Sequence, residues 1–253
     1  MPRPALVKLG GSLLTDKAQE STFRRPAARR LLSEVSKANV PTVLLHGAGS
    51  FGHPQAERHH LGQSKAKPDA VSEVLACVGA LDAQVVSLAH EAGLRPLSFP
   101  LHTVARSESG GLADLPVEAI AKAVEEGYTP VLHGTLVRDP TLAWRVVSAD
   151  ELMQELAMEL TPRLAVFATD VDGIFDGPPG MPGSQLLPRV TGDLVLVEGT
   201  VPGADVTGRM AGKLQRARAV AAHCPTLVLN GEVKGRLLDA LKGKSVPCSR
   251  VEA

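Results

Sequence analysis

The chain lacks an excess of charge of either sign: across 253 residues, 27 Lys and Arg balance 27 Asp and Glu. That balance offers no general pull on nucleic acid or on an acidic membrane surface, so any anion site must be built locally. Cysteine is scarce. Cys77, Cys224 and Cys248 lie far apart, are odd in number and include no C-x-x-C pair. They read as buried thiols of a reducing compartment, not as a disulfide frame or a zinc site. No apolar run approaches the length needed to cross a bilayer, and Met1-Pro2-Arg3-Pro4 leads into an apolar strand without a leader-like hydrophobic region. The expectation is a cytoplasmic protein without membrane insertion. Internal repeats, a low-complexity tail and the G-x-x-x-x-G-K-[ST] spacing of a P-loop are also missing.

What is present is ordinary for a soluble globular chain: 44% hydrophobic and 21% charged residues, enough for one large α/β domain or two joined lobes. Strand-like runs at 5–9, 41–45, 95–99, 129–132, 164–168, 226–229 and 246–250 alternate with helical patterns. The helices are expected at 26–38, 69–93, 116–126, 149–160, 207–222 and 232–241, with Ser148 capping the fourth. Residues 176–203, rich in Gly and Pro, read as hairpins and loops. Such alternation predicts a mostly parallel sheet covered on both faces, with ligands at the carboxyl ends of its strands.

Polar signatures gather at those ends. Gly47-Ala48-Gly49-Ser50-Phe51-Gly52 has the glycine spacing of a dinucleotide fingerprint. The acidic residue such a fingerprint requires at the end of the next strand is missing, since Asp69 and Glu73 fall at a helix start. Two glycine loops, Gly10-Gly11-Ser12 and Gly47-Ala48-Gly49, could instead turn backbone N–H groups toward two phosphoryl groups; two tight turns would need the same glycines. Lys8 tilts the balance, because a cation inside an apolar strand is costly without an anionic partner. Lys17 follows on the loop and Lys213 lies on a basic helix. His53 closes the second loop, either as a helix-start residue or as a donor to an acceptor phosphate. His59 and His60 lack metal-ligand spacing and read as solvent-facing. Asp170-Val171-Asp172-Gly173 after a strand fits an Asx turn or carboxylates that meet a nucleotide or lysines.

Together these stretches resemble the amino acid kinase superfamily, and within it the isopentenyl phosphate kinases. The resemblance rests on Lys8-Leu9-Gly10-Gly11-Ser12 with Thr15-Asp16-Lys17, on His46 through Pro54, on Val147-Ser148-Ala149-Asp150, on Ala168 through Gly173, and on Asp205-Val206-Thr207-Gly208 through Lys213. It implies a three-layer αβα sandwich, with residues up to about 160 binding a phosphate acceptor and the remainder binding ATP. It also implies ATP-dependent phosphorylation of isopentenyl phosphate, with Mg²⁺, in a homodimer. By position, Lys8, Lys17, His53 and Lys213 would be catalytic. Gly47, Ala48, Gly52, His53, Ser148 and Asp150 would hold the acceptor, the loop residues through their N–H groups. Lys8, Gly10, Gly11, Ser12, Thr169, Asp170, Asp172, Gly173, Gly208 and Lys213 would meet the nucleotide. No side chain is assigned as a direct metal ligand. Ala48, Ala149 and Arg209 stand where the family usually has glycine, and Ala48 fits if its φ is negative. A fosfomycin kinase of the same fold and a nonenzymatic nucleotide sensor are the competing readings. Val74, Leu75 and Val78 could line a prenyl tail or serve the core.

Overall fold

A computed structural model describes residues 3–63, 65–108, 111–191 and 208–253. Asp205, Val206 and Thr207 of the nucleotide motif, Gly110, and the side chain of Lys213 lie outside what is described. The order begins β1 (Ala5–Leu9), α1 (Gly11–Leu14), α2 (Arg25–Ala38), β2 (Thr42–His46), α3 (His53–Arg58) and α4 (Pro68–Glu91). It continues with β3 (Pro96–Ser98), β4 (Arg106–Glu108), β5 (Gly111–Ala113), α5 (Val117–Glu125), β6 (Thr129–His133), β7 (Thr135–Asp139), β8 (Ala143–Val147) and α6 (Ala149–Leu160). The last elements are β9 (Leu164–Thr169), β10 (Arg189–Val190), α7 (Gly208–Ala221), β11 (Thr226–Asn230), α8 (Arg236–Leu241) and β12 (Ser249–Val251).

The main sheet runs β10-β12-β11-β9-β1-β2-β6-β3, parallel throughout except where β11 meets β12. Successive side chains of a strand point to opposite faces, and β1 divides accordingly. Ala5, Val7 and Leu9 enter a core with Leu31 of α2, Leu81 of α4 and Leu237 of α8. Leu6 enters a second core with Ile120 of α5, Leu152 of α6 and Ala217 of α7. This is the expected αβα sandwich. Lys8 shares the face of Leu6, toward α6. Because the chain leaves β1 toward β2 and later returns to β9 on its other side, the order reverses at β1. That is where a crevice for ligands forms in such sheets.

Three expectations need correction. A second sheet, β5-β4-β7-β8, was not foreseen; three-residue strands carry almost no period-2 signal, and the β7–β8 hairpin follows β6 after one residue. Helix α4 is, by length and composition, apolar enough to cross a membrane, contrary to the expectation that no run approaches that length. Its alanines, glycine and serines break the run by eye yet keep the average apolar, and its inward Asp82 is bound in an ion pair. The cysteines are all free, but only Cys224 is buried; Cys77 and Cys248 are half-buried.

Candidate active site

The two glycine loops interlock. Leu9 pairs with His46 on one side and with Ala168 on the other, so the loops after β1, β2 and β9 leave the sheet side by side. A Cβ on Gly11 would lie 2.6 Å from Gly49 Cα and N, and one on Gly47 would lie 2.8 Å from Gly11 N. Only glycine allows backbones this close. Buried Thr15 fastens them: its Oγ1 donates to the Gly11 carbonyl at 2.9 Å and accepts the Ser50 N–H at 3.0 Å. Ala48 has φ −71°, so alanine fits this place in the loop. The three amides assigned to an acceptor differ, however. Gly47 N–H donates to the Leu9 carbonyl at 3.0 Å, and Gly52 N–H reaches the Gly49 carbonyl at 3.3 Å. Ala48 N–H has no protein acceptor among the described residues.

The cations sit around these loops. Lys8 is 6% exposed, and its Nζ lies 2.9 Å from Asp150 Oδ1 at the start of α6, which supplies the anionic partner its burial demands. Ser148, read as an acceptor ligand, is the N-cap of α6: its Oγ accepts the Glu151 N–H at 3.1 Å. Exposed Lys17 pairs with Asp170 Oδ2 at 2.7 Å, linking the loops after β1 and β9. Burial raises the Asp170 carboxyl pKa, but the Lys17 hydrogen bond and charge outweigh it and hold the group below its usual range. Buried Thr169 donates to Asp170 Oδ1 at 3.1 Å. His53 is exposed as the first residue of α3, and Gly52 precedes it.

Other predicted residues have structural partners. Asp172 Oδ1 takes Arg236 at 2.5 Å and Asn230 at 3.1 Å, which ties the loop after β9 to α8. A Cβ on Gly173 would meet Ser249 Oγ at 2.4 Å, so this glycine serves close packing against β12. Gly10 and Ser12 flank Gly11, and Gly10 N–H donates to the Ala168 carbonyl at 2.9 Å. Gly208 opens α7, whose second turn carries the backbone of Lys213. His59 is not solvent-facing: it is half-buried, with Nε2 2.6 Å from Glu73 Oε2, while His60 is exposed. Among the described residues no group of three His, Cys, Asp or Glu forms a metal site.

Sequence reasoning missed several members of the site. Buried Gln55 holds the Ser50 carbonyl and Glu20, and buried Asp82 meets His46. Neither belongs to a spaced motif, and Glu20 and His46, their side-chain partners, come from distant segments. A small apolar cluster of Val71, Val74, Val78 and Leu136, edged by half-buried Leu75 and Trp144, packs against Ala48 of the second glycine loop.

Residues 3–230 match the model of the amino acid kinase family. The chain is 29% identical to the isopentenyl phosphate kinase of Methanothermobacter thermautotrophicus, over 97% of this chain and 98% of that one. It is 32% identical to the isopentenyl phosphate kinase of Thermoplasma acidophilum over 69% and 70% of the two chains. An X-ray structure of an isopentenyl phosphate kinase superposes with a TM-score of 0.84 at 26% identity, covering 97% of this chain and 99% of the other.

Proposed function

This chain belongs to the amino acid kinase family, and we propose that it transfers the γ-phosphoryl group of ATP to the phosphate of isopentenyl phosphate, giving the diphosphate. The observation that carries this reading is the meeting of an anion-ready loop with an apolar cluster: Ala48 offers its N–H on one side and packs on the other against the cluster of Val71, Val74, Val78 and Leu136. A short prenyl phosphate has that same division between charge and hydrocarbon. The similarity to proteins named isopentenyl phosphate kinase across nearly the whole chain supports the choice.

A phosphate monoester is largely dianionic near neutral pH, so the acceptor needs no strong base. The protein's task is to align two polyanions and offset their charge. Lys8 lies between the loops and would contact both phosphates, exchanging part of its pairing with Asp150. Lys17 and Lys213 would act on the donor, and His53 on the acceptor. Residues up to about 160 would form the acceptor half and the rest the nucleotide half. Mg²⁺ would arrive with ATP and neutralise its phosphates, since Asp170 and Asp172 already hold Lys17 and Arg236. A homodimer in the cytoplasm completes the reading, which the family resemblance and the free thiols support.

The test is ATP consumption with isopentenyl phosphate, dimethylallyl phosphate and fosfomycin in parallel. Turnover of the first two supports the proposal. Activity on fosfomycin alone moves the substrate to a phosphonate, and silence with every acceptor favours a nonenzymatic nucleotide sensor.

A further inference from the structure

Two histidines with no assigned role in phosphoryl transfer lie beneath the acceptor loop. His46 and His133 end β2 and β6, pair across the ladder, and stack with ring centroids 5.3 Å apart. They are 0% and 6% exposed. His133 Nδ1 lies 3.0 Å from the Gly134 carbonyl oxygen. Burial, and then the charge of His46, push its pKa down to about 4, so at neutral pH this ring is uncharged.

His46 is arranged differently. Its Nδ1 lies 3.3 Å from the Gly47 carbonyl oxygen and its Nε2 3.1 Å from Asp82 Oδ1. Carbonyl and carboxylate oxygens only accept, so a ring nitrogen that bonds either of them does so as the donor. Asp82 is itself buried on α4, and the Ser98 hydroxyl donates to its other oxygen at 2.7 Å. Burial raises the Asp82 carboxyl pKa, but the hydrogen bond and charge of His46 outweigh it and keep the group ionised. The charged and titratable groups facing the pair are His133 from β6 and, acting on His133, His102. Lys8 leaves the sheet on its opposite face.

The consequence reaches the acceptor loop. In a trans peptide the C=O and the following N–H point in opposite directions, and the described backbone has no cis bonds. A Gly47 carbonyl held down toward His46 therefore turns the Ala48 N–H up toward the cleft, where it has no protein acceptor among the described residues. We propose that His46, anchored by Asp82, is a positioning residue that fixes this peptide so that Ala48 N–H receives the acceptor phosphate. The proposal rests on the acceptor-loop reading above.

Three measurements test it. Nitrogen NMR of the imidazole rings should show the His46 Nδ1 carrying a proton; an Nδ1 without one overturns the proposal. Titration with inorganic phosphate should shift the Ala48 amide in the wild type. His46→Gln keeps a donor toward Asp82 but none toward Gly47, and should weaken phosphate binding about tenfold. His46→Asn keeps the donor toward Gly47 and should recover most of it. Equal behaviour of the two variants, or an unmoved Ala48 amide, sinks the idea. In turnover, His46→Gln should raise KM for the prenyl phosphate while KM for ATP stays within about twofold. A parallel rise of both would mean a general structural role and also overturn it. If the wild type turns over no acceptor, the reaction assignment fails, while the phosphate titration still decides the loop geometry.

Discussion

Under the proposed function, the acceptor side and the nucleotide side of the crevice are held by different means. On the acceptor side the parts are backbone and buried groups: glycines in van der Waals contact, Thr15 fastened between loops, His46 locked to Asp82. On the nucleotide side they are longer side chains in more open ion pairs. The Lys17 and Asp170 side chains are 69% and 34% exposed. Exposed pairs of this kind contribute about 0–1 kcal/mol each. On this reading acceptor geometry is built into the fold, whereas the exposed Lys17–Asp170 pair would exchange partners when phosphates arrive.

Lys8 lies on the border, and replacing it should have the largest effect. Lys8→Met is expected to lower kcat by about 10³-fold, and Lys17→Met by about 10- to 100-fold, because a buried cation is screened less than an exposed one. Steady-state kinetics at saturating ATP checks both, and equal losses would erase the distinction between the two sides. Next comes Gly11→Ala. Its new Cβ would meet Gly49 backbone at 2.6 Å, where neither strand-end loop can give way. A loss of about 3 kcal/mol or more in urea unfolding is expected.

The same contrast explains what could be read beforehand. The strands and long helices were legible, because burial on both faces of a parallel sheet writes continuous apolar runs, as in Ala5–Leu9 and Thr226–Asn230. Ser148 and the helix behind it were legible from a local cap. Lys8 was legible because charge inside an apolar strand is conspicuous. Asp82 was not: its partner His46 is 36 residues away and its helix reads as ordinary apolar packing. The packing roles of Gly47 and Gly173 were not legible, since a sequence shows glycine but not which neighbour it lets approach.

The pH dependence of stability provides a smaller, signed effect from the acceptor side. The His133 ring takes its proton near 6.5 when unfolded but only near about 4 when folded. Between those values the unfolded state binds more protons, so stability falls as pH drops through the window. The ceiling is roughly 3 kcal/mol, from two to three pK units. Asp170 does not share this window. Its carboxyl is held below the usual range, so its stabilisation is present above that range and lost only as pH falls further. Thermal melts of the wild type and His133→Gln between pH 6.5 and 4 should show a slope in the first that flattens in the second.

The smallest effect should reverse the sign of the glycine result. Gly212 lies in α7, exposed, one residue before Lys213, and an added Cβ there would meet nothing within 4 Å. Alanine at an exposed helical position is favoured over glycine by about 0.8–1 kcal/mol, since it restricts the unfolded chain and completes the helix surface. Gly212→Ala should therefore raise the urea midpoint slightly, where Gly11→Ala lowers it strongly. The pair of variants separates two reasons for glycine: close approach between loops, which no other residue satisfies, and a helical position that tolerates a side chain. A destabilised Gly212→Ala protein would mean that α7 packs against something at that position, and the nucleotide side would then be held as tightly as the acceptor side.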